Sequence, residues 1–297
     1  MASPARILVT GADGFVGQYL TAELEARFPE AALCADRFDV ADRAAVAQAV
    51  ASFRPDGCVH LAGVAAVPDA RRDPDRTFAV NLGGTLNLAR AILDDVPECR
   101  LIYVSSAECY GASFRAGAAL DETAPLAPQN IYAASKAAAD LALGAMAAEQ
   151  GLRVIRFRPF NHTGPGQSEA FVIPAFAAQI RRIEQGEQEP VVRVGNLEPE
   201  RDFLHVADVV RAYALGLARF DDLPNGSVFN LASGTPRRIG DILAGMIARA
   251  SVPIRVEVDP ARLRPVDIPR AVGDASAARK ALGWRPEHGL DFVSPPE

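Results

Sequence analysis

Val9-Thr10-Gly11-Ala12-Asp13-Gly14-Phe15-Val16-Gly17 decides the fold class of this chain. The apolar run Ile7-Leu8-Val9 leads into it and an amphipathic segment follows, so the order is strand, tight turn, helix. Glycines let a backbone approach a pyrophosphate, and a helix N-terminus offers free N–H groups and the positive end of its dipole. The spacing is Gly-x-x-Gly-x-x-Gly rather than the Gly-x-Gly-x-x-Gly of other dinucleotide folds. Gly11, Gly14, Phe15, Val16 and Gly17 are therefore the expected nucleotide contacts.

Outward from this loop, short apolar runs alternate with amphipathic segments through the first 160 or so residues, the pattern of βαβ units. Strands are predicted at 6–10, 31–35, 57–61, 100–105 and 153–158, with helices near 15–27, 42–53, 77–95 and 131–150. After Pro159 glycine, proline and arginine become frequent. One helix is predicted near 172–186, others near 206–220 and 239–250, and strands at 228–232 and 254–258. The fold class is α/β: a Rossmann-type doubly wound parallel sheet with a smaller C-terminal substrate-binding lobe. Residues 1–158 and 206–232 are assigned to the NAD(P)-binding domain, and 159–205 and 233–297 to the second lobe.

The next informative stretch is Tyr132-Ala133-Ala134-Ser135-Lys136. Positions i and i+4 share a helix face, and an ammonium beside a phenol favours the phenolate. A tyrosine with a lowered pKa passes a proton to or from an alcohol oxygen. Ser105-Ser106 ends the preceding strand, where a hydroxyl can bond the same oxygen. Asp36-Arg37 ends the second strand; the aspartate suits a ribose 2′-OH and the arginine a 2′-phosphate, so NAD and NADP both stay open. Asp39-Val40 suits an adenine edge, or Asp39 a helix cap. Leu61-Ala62-Gly63 either admits the dinucleotide or serves tight packing.

The formal net charge of −6 and pI of about 5.4 argue against nucleic acid as a partner. Four separated cysteines (Cys34, Cys58, Cys99, Cys109) show neither zinc spacing nor a disulfide framework. His60, His162, His205 and His288 show no metal spacing either, so no metal is expected. No apolar run approaches a membrane span and no signal segment opens the chain, which reads as cytoplasmic with no membrane partner. A Ser–His–Asp hydrolase lacks its G-x-S-x-G elbow.

These residues resemble the extended short-chain dehydrogenase/reductases that modify nucleotide sugars. The likeness rests on Gly11-x-x-Gly14-x-x-Gly17, His60-Leu61-Ala62-Gly63, Val80-Asn81-Leu82-Gly83-Gly84-Thr85, Ser105-Ser106, Tyr132-x-x-x-Lys136 and Arg158-Pro159-Phe160-Asn161. It implies that Ser106, Tyr132 and Lys136 are catalytic, that Asn81 and Pro159 join the cofactor contacts, and that Asn161 touches the sugar nucleotide. Arg158 to Gln167, Gly195-Asn196-Leu197 with Arg201-Asp202-Phe203, and Leu263 to Pro269 look like the branch that reduces a GDP-linked 4-keto-6-deoxy sugar with NADPH or NADH. Arg201 and Arg264 are then candidates for the diphosphate, Asp267 for guanine, and Glu108 for a substrate contact; a surface ion pair is the alternative for Arg201, Arg264 and Asp267 alike. A 4,6-dehydratase or epimerase on the same scaffold, or a dinucleotide-sensing protein without turnover, are the rivals. The resemblance also implies a homodimer, with Ala133, Ala137, Leu141 and Ala145 on one helix and Leu86, Ala89 and Leu93 on another forming a four-helix bundle. Family members usually carry a long helix after the turn at Gly283-Trp284-Arg285-Pro286. Here little chain remains for one, so a differently closed second lobe is expected.

Overall fold

Strand-forming runs and turn glycines assemble, in the computed structural model, into a six-stranded parallel sheet; the structure describes residues 3–263 and 268–289. The strands in chain order are β1 (Arg6–Thr10), β2 (Ala32–Cys34), β3 (Gly57–His60), β4 (Arg100–Val104), β5 (Val154–Pro159), β6 (Asn161–Thr163), β7 (Val191–Val194), β8 (Glu200–His205), β9 (Val228–Leu231), β10 (Pro236–Arg238), β11 (Arg255–Val258) and β12 (Arg270–Ala271). The large sheet runs β2-β1-β3-β4-β5-β9, with every pairing parallel. Strand order reverses between β1 and β3, so the loops after these two strands open at the crevice where such sheets bind ligands.

The helices are α1 (Phe15–Arg27), α2 (Arg43–Phe53), α3 (Val67–Arg72), α4 (Pro74–Phe78), α5 (Thr85–Asp95), α6 (Ile131–Gln150), α7 (Val172–Glu184), α8 (Val206–Ala218), α9 (Ile239–Ile247) and α10 (Ser276–Leu282). Successive side chains of β1 face opposite ways. Ile7 and Val9 join Leu20 and Leu24 of α1 and Val209, Tyr213 and Leu217 of α8 on one face. Leu8 joins Val46 of α2, Leu88 and Ile92 of α5 and Leu143 of α6 on the other. Both faces of the sheet are thus covered, the doubly wound arrangement.

A second group of strands surrounds β8, which pairs with β6 and β12 in parallel and with β10 antiparallel. Beside it, β7 and β11 pair, and α7 and α9 close a separate core of Ile173, Phe176, Ile180, Val192, Phe203, Leu243 and Met246. The strands at 161–163, 191–194 and 200–205 were not predicted: they are short and sit in a stretch read as irregular from its glycines and prolines. Trp284 is fully buried and its indole N–H donates to the Asp208 carbonyl at 2.8 Å, so the turn after α10 docks on the start of α8.

The helix predicted at 77–95 is instead broken into α4, a π-helical turn at Ala79–Gly84, and α5. Asp73 caps α4 by accepting from the Arg76 N–H, Pro74 opens it, and Gly83-Gly84 permit the wider turn. A methyl group at Gly84 would lie 2.6 Å from the Val40 side chain, which explains the glycine. Asp42, not Asp39, caps α2.

Candidate active site

Gly11 has φ of 73°, and a Cβ there would sit 2.8 Å from the Ala62 nitrogen; one at Gly17 would sit 2.4 Å from the Gly11 carbonyl oxygen. These close approaches press the β1–α1 turn against Leu61-Ala62-Gly63 and keep its backbone bare. Gly14 stands at the N-cap of α1 and offers no side-chain acceptor, so the N–H groups at Phe15, Val16 and Gly17 face the crevice without a side-chain cap. A bare helix N-terminus and a side-chain-free cradle fit a dinucleotide pyrophosphate.

On the rim, Asp36 and Arg37 are exposed, and Arg37 reaches Asp13 of the turn at 3.6 Å. Asp39 accepts from the Ala41 N–H at 2.9 Å and from Arg76 at 2.9 Å. The Ala41 N–H and the Arg76 guanidinium hold its carboxyl below the usual carboxylate range. Val40 is buried under Gly84.

The loop after β3 leads to the candidate catalytic groups. A methyl at Gly63 would lie 2.9 Å from Asn81 Oδ1 and 3.5 Å from Lys136 Nζ. Asn81, in the π-helical turn, donates to Val64 O at 3.0 Å and Ser135 Oγ at 2.9 Å and accepts from the Val64 N–H at 2.8 Å. It thereby ties the loop after β3 to α6. His60 is buried between Thr10 Oγ1 at 2.6 Å and Thr85 Oγ1 at 3.0 Å. Burial, then the Lys136 charge, push it down to about 3, which makes it a neutral structural ring.

Ser106 ends the β4 segment and caps a 3₁₀ helix over Ala107–Ala116, its hydroxyl accepting from the Glu108 N–H at 3.1 Å. Asn130 caps α6 through the Ala133 N–H at 2.9 Å and donates to Glu108 Oε2 at 3.2 Å. The helix that begins there carries Tyr132 and Lys136. Burial raises the Tyr132 phenol above its ordinary value, against a hydrogen bond from Ser106 that lowers it. This corrects the expectation that Lys136 lowers that pKa. The Lys136 ammonium instead donates to Val104 O at 2.8 Å and lies 5.3 Å from the centre of the Tyr103 ring. Its own burial pushes it down to about 8.

Pro159 is buried at the end of β5, and Asn161 is exposed at the start of β6. Arg201 donates to the carbonyls of Glu200 at 2.9 Å and Ile268 at 2.7 Å. Arg264 and Asp267 lie outside the described residues. On α6, Ala133 and Ala137 are buried in the protein rather than on an outer face; Leu141 and Ala145 are exposed. On α5, Ala89 is fully buried, and Leu86 and Leu93 are half-buried.

The sequence reading passed over Asp140, fully buried between Arg156 and Arg158. Its signal was a carboxylate one turn after Lys136, amid the alanines and leucines of the helix.

The family model described as NAD dependent epimerase/dehydratase matches residues 7–232. The chain is 37% identical to the GDP-6-deoxy-D-mannose reductase of Pseudomonas aeruginosa over 95% of this chain and 92% of that protein. It is 29% identical to GDP-mannose 4,6 dehydratase 2 of Arabidopsis thaliana, over 85% of this chain and 67% of that protein. Among solved structures, RMD from Pseudomonas aeruginosa complexed with NADPH superposes with a TM-score of 0.88 at 35% identity, covering 97% of this chain and 96% of that one. The Thermus thermophilus UDP-glucose 4-epimerase complex with NAD gives 0.84 at 28% identity, covering 97% and 96%. Among the described residues no helix is long and apolar enough to cross a membrane, and no His, Cys, Asp and Glu cluster could hold a metal. Glycine cradle, capped serine turn and Tyr132–Lys136 helix agree with that match: the chain belongs to the NAD dependent epimerase/dehydratase family.

Proposed function

We propose that this protein reduces the C4 ketone of GDP-4-keto-6-deoxy-D-mannose to GDP-D-rhamnose with NADPH or NADH. The observation that carries the reading is the 37% identity to a reductase of this type along nearly the whole chain, joined to an intact Ser106, Tyr132 and Lys136. The nicotinamide cofactor, when bound, supplies the hydride. Ser106 holds the ketone oxygen, and Tyr132 donates a proton to that oxygen as it gains charge. The raised pKa keeps the phenol protonated at neutral pH, so the proton is there to give, and such a role is typically worth about 10²–10⁴-fold in rate. Lys136 holds the nicotinamide ribose.

The cofactor is assigned to 1–158 with 206–232, and the sugar nucleotide to 159–205 with 233–297. Asn161, Arg201 and Arg264 would hold the sugar and diphosphate, a guanidinium being matched to phosphate oxygens, and Asp267 the guanine. Glu108 would touch the sugar. The protein would act in the cytoplasm as a homodimer through the exposed side of α6, where Leu141 is 59% exposed, and the adjoining side of α5.

The test is turnover on a panel of GDP-, dTDP- and UDP-linked 4-keto sugars, followed by loss of NADPH or NADH and by product NMR. A GDP-linked substrate should be preferred. Absence of cofactor oxidation with every ketone would leave the dinucleotide-sensing alternative. A 4-keto product formed from GDP-mannose and NADP⁺ alone would favour the dehydratase.

A further inference from the structure

Asp140 is fully buried in α6, one turn beyond Lys136 and two beyond Tyr132. Its Oδ1 accepts from Arg158 Nη2 at 2.9 Å and Arg156 Nη1 at 3.0 Å, and its Oδ2 from Arg158 Nε at 3.0 Å. Arg158 is 5% exposed and forks onto the carboxylate from the end of β5. Its Nη1 donates to Tyr110 Oη at 3.1 Å, and Tyr110 Oη donates to Asn230 Oδ1 at 2.7 Å. Tyr110 belongs to the 3₁₀ helix that Ser106 caps. The Ser105 N–H donates to Phe157 O at 2.8 Å, beside Arg158. One fork therefore joins the helix of Tyr132 and Lys136, the turn of Ser106 and Glu108, and the strand that leads to Asn161.

Stability alone is a weak reason for this arrangement, because well-packed apolar side chains usually replace a buried ion pair at no loss. Its position and charge give a better reason. Lys136 is faced by His60 from β3, the Tyr103 ring and Val104 O from β4, Cys109 from the 3₁₀ helix, and Asp140 from α6; Tyr132 stands one turn before it on α6. His60 is neutral, burial holds the Tyr103 and Tyr132 phenols protonated, and burial pushes the Cys109 thiol up to about 11. Near neutral pH, Asp140 is thus the anion among these groups. Burial opposes its charge, but the hydrogen bonds and charge of Arg158, with Arg156, hold its carboxyl below the ordinary range. Both arginines bond Asp140 and temper its field.

We propose that Asp140, gripped by Arg158, is a positioning residue: it locks α6 in register against β5 and the serine turn, and keeps the Lys136 ammonium charged. The kinetic part rests on the ketoreductase reading above; the charge part does not.

The chain has two lysines, Lys136 and Lys280, so labelling lysine side chains gives two NMR signals. In Asp140→Asn the Lys136 signal should titrate measurably below wild type, because the opposite charge one turn away is removed. Its kcat should fall about tenfold or more near neutral pH, since small misplacements of reacting groups carry such losses. KM should stay within about twofold, as expected when binding is left intact. The alkaline limb of the kcat profile should move down with the lysine. Arg158→Lys keeps the charge but replaces the fork by a point donor. It should lower kcat several-fold and leave the Lys136 midpoint in place.

An unmoved Lys136 titration in folded Asp140→Asn, or wild-type kcat in Asp140→Asn or Arg158→Lys below their melting temperatures, would overturn the proposal. If Asp140→Asn fails to fold, Arg158→Lys decides alone by its kcat. Wild-type failure to turn over any 4-keto sugar would instead count against the ketoreductase reading, while the lysine titration still judged the electrostatic claim.

Discussion

Lys136→Met should make the protein more stable and catalytically dead. Lys136 is 5% exposed, and burial carries its pKa from 10.5 down to about 8. At about 1.4 kcal/mol per pH unit, the charged form is held at a disadvantage of about 3 kcal/mol. Methionine keeps much of the apolar stem and removes the charge, but it also removes the 2.8 Å hydrogen bond to Val104 O. A lost bond of that kind costs about 1–2 kcal/mol, which leaves a net gain of about 1–2 kcal/mol. For a chain of this size that is a rise in Tm of about 2–3 °C. The pH dependence gives a second check. Between about 8 and 10.5 the unfolded chain binds more protons than the native one, so wild-type stability rises with pH across that window. The penalty is fully present below pH 8 and relieved above it, so the advantage of Lys136→Met should be largest near pH 7 and shrink toward pH 10. Thermal unfolding of both proteins across this range reads it directly. A variant no more stable than wild type at pH 7, with the same pH slope, would refute the reasoning.

Tyr132→Phe should lose about 10²-fold or more in kcat while binding NADPH almost as well, because only the phenolic proton is removed; retention of more than about a tenth of kcat in steady-state assays would remove Tyr132 as the acid. Gly17→Ala should raise the cofactor Kd steeply, since its Cβ would lie 2.4 Å from the Gly11 carbonyl oxygen and must open the cradle; fluorescence titration with NADPH would show it, and an unchanged Kd would mean the pyrophosphate binds elsewhere. Glu108→Gln should keep about a third or more of reductase activity, small beside the loss of a true acid or base, and a collapse of kcat would give Glu108 a chemical role. Light scattering should give about twice the monomer mass of 31.5 kDa, and the monomer mass at all concentrations would exclude the dimer.

The first part of the large sheet was legible because its signals are local. The turn at Gly11–Gly17, the strand run Ile7-Leu8-Val9 and the four-residue step from Tyr132 to Lys136 each occupy a few consecutive residues, and β1 and α1 fall where the spacing placed them. The second half was less so. Strands β6 and β8 are held by each other and by β10 and β12, so their pairing depends on residues far apart in sequence. The π-helical turn was hidden because it keeps a helical hydrophobic pattern while shifting its hydrogen bonds. Tyr132 shows a different limit: sequence places the ammonium one turn away, but burial, which only the fold reveals, decides which way the phenol shifts. Asp140 looked like one more charged helix residue until Arg156 and Arg158 closed on it from the neighbouring strand.

The central claim is that the nicotinamide cofactor supplies hydride to the C4 ketone of a GDP-linked sugar while Tyr132 supplies the proton to its oxygen. Its most direct test gives purified protein GDP-4-keto-6-deoxy-D-mannose with 4-deuterated NADPH, carrying the label on the transferable face, and reads the product by NMR. GDP-D-rhamnose bearing deuterium at C4, formed by wild type and almost abolished in Tyr132→Phe, is the predicted result. Unchanged ketone, or a product with no deuterium at C4, would contradict the account.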